Sequence, residues 1–263
     1  MTANVEEIKK WESVEVERSA SEAKRKESND LLIKQDIIAR YAAPSADTVF
    51  PLEYAYHLLG DVDGKTVLDY GCGLGDNSVL VASRGAKVVG VDISPELIEL
   101  AEKRLDAHKF RDRADFRIGS AHELPLADES VDVVFGMAIL HHLDLQLASG
   151  EVFRVLKKGG RAIFLEPVRN SKLIKFIRNL IPYEQPDLSP FERPLTDAEL
   201  EEFAEKFTAY HSRAFSLPFV NLLEVLRLPE NIINSAKKID GKILKNVSPL
   251  NYYGSIRVIE MTK

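Results

Sequence analysis

The sequence predicts an α/β fold built on a doubly wound, mostly parallel sheet. Three observations point there. Short apolar runs alternate with amphipathic helical stretches from residue 65 onward, helix start and stop signals separate them, and a glycine-rich turn follows the first run. Strands that alternate with helices this regularly need crossover connections, which set parallel strands side by side with helices on both faces.

The elements follow in order. Glu6 to Asp30 is crowded with Glu, Lys and Arg, and the apolar residues Leu31, Leu32, Ile33, Ile37 and Ile38 come later. Residues 1–43 therefore form a separate helical layer, either a solvated helix or a lid over an active site; both readings stand. Residues 44–263 form the main domain. Thr66–Tyr70 is a short apolar run ending in glycines, the pattern of a buried strand. Asp76–Arg84 is a helix closed by Gly85, and Lys87–Val91 a second strand. Ser94-Pro95-Glu96 combines an N-cap, a proline at the first helical position and an acid in the first turn, and opens a helix that runs to about Asp106. Asp115–Ile118 and Val131–Gly136 are strands three and four. Asp144–Leu156 is helical with Gly159-Gly160 as its stop, and Arg161–Leu165 is strand five.

The back third departs from this rhythm. Residues 167–195 hold five prolines and the amphipathic stretch Lys172–Ile181, as expected of an insertion after strand five. On that stretch Lys172, Lys175 and Arg178 lie opposite Leu173, Ile174 and Ile177, a solvated face more often than an anion- or membrane-seeking one. Thr196-Asp197-Ala198-Glu199 is a capping box. Ala209–Leu217 is a candidate strand six and Ser255–Met261 the last strand, with a mostly helical insertion at about 219–250 between them. Both insertions fall where a doubly wound fold builds the walls of its ligand crevice. Phe176, Tyr183, Phe191, Phe219, Leu222 and Leu226 are the candidate apolar wall of an acceptor pocket.

Bulk properties limit the function classes. The chain has 263 residues, a net charge of −6 and 29% charged residues, an ordinary globular balance with no sign of the basic face that grips a phosphate backbone. Nucleic acid is therefore not an expected partner. A single cysteine, Cys72, excludes an internal disulfide and fits a reducing cytoplasm. The charged N-terminus lacks the apolar core of a signal peptide, and no apolar run approaches a membrane span, so stable membrane insertion is not expected.

The chemistry-bearing segment is Val67-Leu68-Asp69-Tyr70-Gly71-Cys72-Gly73-Leu74-Gly75. Glycine at every second position lets a tight turn form and lets a ligand touch backbone directly. The following helix start offers N–H groups to a carboxylate or phosphate. Asp92 stands at the tip of the second strand, where its carboxylate can accept hydrogen bonds from the vicinal hydroxyls of a ribose. Together these features indicate an adenosine-type cofactor. A dinucleotide site prefers G-x-G-x-x-G, but here Asp76 occupies the last slot, where an acid sits badly against a pyrophosphate. No phosphate-holding Lys or Ser/Thr follows, as a nucleoside triphosphate loop would need. Cys72 reads as small filler in the turn, and nothing in the sequence clusters like a metal site.

Four blocks in order carry a resemblance: VLDYGCGLG at 67–75, VVGVDIS at 88–94, GSAHELPLADESVDVVFGMAILHHL at 119–143 and EVFRVLKKGGRAIFLEP at 151–167. Over roughly residues 60–166 the chain resembles the class I S-adenosylmethionine-dependent methyltransferases, in particular the quinone-biosynthesis and small-molecule group. The resemblance implies a Rossmann-like sheet with an antiparallel last strand, helical lid and cap insertions, S-adenosylmethionine as cofactor and S-adenosylhomocysteine as product. It implies that Asp69, Gly71, Cys72 and Gly73 hold the methionine end, Asp92 the ribose, Ile93 the adenine face, Ser120 and Ala121 the adenine edge, and Met137 the cofactor ammonium. Tyr41, near the hinge of the N-terminal layer, is a further candidate contact. Many relatives carry Asp where this chain has Ser120; the resemblance then implies that the contact here is either weaker or made by the Ala121 N–H and a neighbouring side chain such as His122.

The expected function is methyl transfer to an O, N or C atom of a small molecule. The alternative is a protein that binds the same cofactor for other chemistry, cyclase-like or regulatory. A general base is needed only if the acceptor keeps its proton. His142, His141 and Glu166, at the carboxyl ends of strands four and five, are the catalytic candidates, with His142 preferred. The acceptor and the oligomeric state, monomer or homodimer, stay open.

Overall fold

The computed structural model describes residues 5–26, 31–171 and 192–263. Its elements are α1 (Val5–Lys26), α2 (Gln35–Ala42), α3 (Pro51–Leu59), β1 (Thr66–Tyr70), α4 (Asp76–Ala82), β2 (Lys87–Asp92), α5 (Pro95–Ala107), β3 (Ala114–Ile118), β4 (Val131–Met137), α6 (Leu145–Val155), β5 (Leu156–Pro167), α7 (Asp197–Phe203), β6 (Ala209–Phe215), α8 (Pro218–Val225), α9 (Glu230–Asn246) and β7 (Ile256–Thr262). The strands form one seven-stranded sheet in the order β3-β2-β1-β4-β5-β7-β6. β7 runs antiparallel to both its neighbours, and the other pairings are parallel.

The central strands are apolar at nearly every position because both faces are covered. Successive strand residues point to opposite faces. Leu68, Val134, Ala162, Phe164 and Ile259 enter one core, which α6 and α7 cover with Val152, Val155, Leu200 and Phe203. Val67, Val133, Phe135, Ile163 and Val258 enter the other, under Tyr56 and Leu59 of α3 and Val79 of α4. Continuous apolar runs, rather than alternation, are the mark of such a doubly covered parallel sheet.

Two local devices form as the sequence predicts. Ser94 Oγ accepts the Leu97 N–H at the start of α5. Thr196 and Glu199 make both arms of the capping box that opens α7. Two stretches differ from expectation. β5 begins at Leu156, immediately after α6, rather than at Arg161. Leu156 pairs with Val131, and the register then shifts before Val133 pairs with Arg161. Gly159, at φ 73°, belongs to this irregularity within the strand and does not end a helix. The helix α3, unassigned above, starts on Pro51 and buries Ala55, Tyr56 and Leu59.

Among the described residues of the N-terminal layer, α1 and α2 are helical. α1 is 22 residues long and packs on α5, with Ala23 against Leu97 and Leu100. The stretch Lys172–Ile181 and residues Phe176, Tyr183 and Phe191 lie outside the described residues. Among the described residues no helix is long and apolar enough to cross a membrane.

Candidate active site

A cavity of about 260 Å³ opens at the carboxyl ends of β1, β2 and β4. The strand order reverses between β1 and β4, with β2 and β3 on one side and β5 on the other, and a doubly wound sheet leaves a crevice at that point. The glycine turn forms one wall. The N–H groups of Gly71 and Cys72 both donate to Val91 O, at 2.9 and 3.0 Å, which ties the turn to the end of β2. Gly71 lies at φ 73°, and a Cβ there would come within 2.8 Å of Ile139. A side chain at that position would close the gap between the turn and the end of β4.

Asp92 lines the cavity beside Ile93. Its Oδ2 accepts from Gly73 N at 2.9 Å and its Oδ1 from Ser94 N at 3.0 Å, so backbone on both sides aims the carboxylate. The rim continues through Gly119, Ala121 and His122. The hydroxyl of Tyr70, a residue of the glycine motif, donates to Ala121 O at 2.7 Å and pins this rim to β1.

The other wall is α1. Ile8, Trp11, Glu12, Glu15, Arg18 and Ser19 face the cavity. Glu12 accepts from Ser120 Oγ and pairs with His122 Nδ1 at 3.1 Å. Arg18 bridges Glu15, at 3.0 Å, and Glu192 beyond β5. Residues more than 100 positions apart thus meet across the opening.

The end of β4 supplies the floor. Ala138, Ile139, His142 and Leu143 line it. Ala138 takes a left-handed backbone at φ 57°, a cost of roughly 1–2 kcal/mol for a residue with a Cβ. Its N–H donates to Leu165 O at 2.8 Å. Glu166, 1% exposed, holds the following turn. Its Oε1 accepts from Ile139 N at 2.9 Å and Leu140 N at 2.8 Å, and its Oε2 meets His141 Nδ1 at 2.9 Å.

The sequence-predicted residues therefore separate. Gly71, Asp92, Ile93, Ala121 and His142 line the cavity, and Ser120 borders it through Glu12. Asp69 stands behind the turn. It is buried and accepts from Ser78 Oγ at 2.6 Å, and burial lifts its pKa to about 7 despite that bond. Cys72 is buried in the turn, and burial pushes its thiol well above the ordinary range, as suits filler rather than a nucleophile. Tyr41 packs on the Tyr56 ring at 4.9 Å and Met137 on the core under α3, both away from the cavity lining. His141 and Glu166 bind each other and the turn rather than face the opening. Phe219, Leu222 and Leu226 are exposed on α8 and its C-terminal end and do not line the cavity; the wall expected from the second insertion is supplied by α1.

His142 faces the cavity, but burial, with the His141 and Arg18 charges adding, lowers its pKa to about 3. Such an imidazole stays neutral near pH 7 and is a weak proton acceptor there. Glu15, His142 and Glu192 lie close enough to share a metal ion, a grouping invisible in the sequence. Arg18 already forms an ion pair with each carboxylate of that group.

The model of a family described as a methyltransferase domain matches residues 61–244. The chain belongs to that family. Its cavity sits within the matched segment except for the wall made by α1. Among curated relatives, a demethylmenaquinone methyltransferase of Symbiobacterium thermophilum is 37% identical over 118 residues, covering 43% of this chain and 47% of that protein. A probable S-adenosylmethionine-dependent methyltransferase of Mycolicibacterium smegmatis is 37% identical over 144 residues, 54% of this chain and 51% of its own. The chain thus spans about half the length of the curated relatives it matches. Among solved structures, a geranyl diphosphate C-methyltransferase of Streptomyces coelicolor, in complex with Mg2+, geranyl diphosphate and S-adenosyl-L-homocysteine, superposes with a TM-score of 0.55 at 19% identity, over 79% of this chain and 76% of that one. A methyltransferase fold from Bacillus halodurans gives 0.58 at 18% identity, over 81% and 98%. At such identities the likeness is one of fold.

Proposed function

We propose that this protein transfers a methyl group from S-adenosylmethionine to an O, N or C atom of a small-molecule acceptor. The observation that carries the reading is the pairing of the Gly71–Gly73 turn with an aimed Asp92 on one cavity at the sheet's switch point. The residues present fit the cofactor. Gly71 leaves a cradle that a Cβ would fill, and Asp92 offers a fixed acceptor pair to vicinal hydroxyls. When bound, the cofactor's sulfonium makes its methyl electrophilic. The chain's own contribution is placement and exclusion of water, and positioning alone supplies roughly 7–11 kcal/mol in favourable cases. Ile139, His142 and Leu143 shape the floor against which an acceptor is held. α1 acts as the lid, with Trp11 and Ile8 as its apolar underside. Residues 1–43 therefore act as a functional layer on the 44–263 domain. A reducing cytoplasm is the compartment proposed for it, which the single cysteine fits.

Calorimetry with S-adenosylmethionine, S-adenosylhomocysteine and NAD tests the cofactor, and methyl-labelled cofactor with a panel of phenols, amines and heteroaromatics tests the reaction. Binding of the first two, with label transferred to one acceptor class, is expected. NAD binding without S-adenosylmethionine binding overturns the proposal. Cofactor binding without transfer across a broad panel favours a non-methylating role.

A further inference from the structure

A nucleoside whose ribose meets Asp92 and Ile93 directs its base along the rim made by Gly119, Ala121 and His122. An adenine presents its exocyclic amino group at the outer edge, and reading that group requires a fixed hydrogen-bond acceptor. The core offers little. The carbonyl of Ala121 already takes the Tyr70 hydroxyl, and that of Ser120 takes Glu123 N. The charged acceptor at this rim comes from the lid.

Glu12 lines the cavity, with its side chain 23% exposed. Its Oε1 accepts from Ser120 Oγ and faces His122 Nδ1 at 3.1 Å. The Asp144 N–H donates to His122 Nε2 at 3.0 Å, so the ring proton sits on Nδ1 and is donated to Glu12. Asp144 is itself the N-cap of α6, so the carboxylate is aimed by a chain of bonds anchored in the domain. The bond from His122 holds the Glu12 carboxyl below its ordinary range, with burial opposing, and it stays ionised at neutral pH. Among the described residues no hydrogen bond reaches its Oε2.

We propose that Glu12, carried by the lid helix and aimed by Ser120 and His122, reads the exocyclic amino group of the cofactor's adenine, so that lid closure depends on the identity of the base. The inference rests on the cofactor reading above. A lid that merely latched would need the Ser120 and His122 bonds and nothing more; a reader also discriminates between bases. A carboxylate attracts an amino group and repels a carbonyl oxygen at the same place, and a site built on such a bond rejects the analogue lacking the donor.

The test is calorimetry on the full chain with S-adenosylhomocysteine and its 6-oxo analogue, in which inosine replaces adenosine. The wild type should prefer the amino form by roughly tenfold or more. Glu12→Ala should weaken binding of the amino form and bring the ratio of the two affinities close to one. Glu12→Gln should fall between, because its amide can present either an oxygen or an NH2. Arg18→Ala removes the lid's other tether without touching the rim, and should weaken both ligands while keeping their ratio. Absence of preference in the wild type, an unchanged ratio in Glu12→Ala, or a ratio collapsed by Arg18→Ala overturns the assignment. Failure of the wild type to bind either nucleoside overturns the cofactor reading along with it.

Discussion

Glu166 is the residue whose role the geometry changes most. Its carboxylate, 1% exposed, accepts from Ile139 N, Leu140 N and the His141 ring. Replacing it by alanine strands two backbone donors, one of them on the fully buried Leu140. Each buried donor left without a partner costs about 1–3 kcal/mol. With partial relaxation, a loss of about 3 kcal/mol or more is expected for Glu166→Ala. At roughly 2–4 °C per kcal/mol for chains of this size, the melting temperature should fall by about 6–12 °C. Glu166→Gln keeps a carbonyl oxygen where Oε1 serves both amides, and its NH2 can donate to the His141 ring in the other tautomer. That variant should lose less than about 1 kcal/mol and keep most turnover. Scanning calorimetry and urea unfolding measure the stabilities, and labelled methyl transfer the turnover. An alanine variant within about 1 kcal/mol of wild type would refute the anchoring argument. A stable but inactive glutamine variant would show that the carboxylate acts on the acceptor directly.

Asp92→Ala should weaken cofactor binding by roughly ten- to a hundredfold, the worth of a charged hydrogen-bond partner; calorimetry on the folded variant checks it, and unchanged affinity removes Asp92 from the site. His142, with its pKa lowered to about 3, is neutral throughout the working range. The pH–rate profile should therefore show no inflection from it near 6–7, and His142→Ala should cost less than about tenfold in turnover; a loss of about 10²–10⁴-fold would restore it as a base. Asp69 has its pKa raised to about 7 by burial, with the Ser78 bond opposing and Asp92 and Asp76 adding. Between about pH 4 and 7 the folded state then holds a proton that the unfolded state has lost, so stability falls as pH rises through that window, by at most about 1.4 kcal/mol per unit. The penalty persists above it. Asp69→Asn should flatten this slope in urea titrations without cofactor, and an identical slope in both proteins would rule out the assignment.

The glycine turn and Asp92 were legible in the sequence because their chemistry is local: a tight turn, a close approach of backbone and an acid at a strand end each leave a mark within a few residues. The same holds for Ser94-Pro95-Glu96 and the Thr196–Glu199 box, whose capping bonds span three residues. The doubly covered sheet was legible because burial on both faces forces apolar residues at consecutive strand positions.

The partners of those groups were not legible. Gly159-Gly160 reads as a helix stop until the pairing of Leu156 with Val131 makes it an irregularity inside a strand. Glu166 looks like a catalytic acid at a strand end, yet its acceptor capacity is taken by a turn 26 residues earlier. Glu12 and Arg18 sit in a stretch so charged that a solvated helix is a sufficient account of it. Only the packing of α1 on α5 carries them over the cavity, to Ser120, His122 and Glu192. The sequence by itself determined the sheet, the glycine turn and the placing of Asp92 at the strand tip, since each depends on neighbours in the chain. The tertiary structure alone decided which wall closes the cavity and what protonation state its histidine holds, because both depend on burial and on charges brought together from distant parts of the chain.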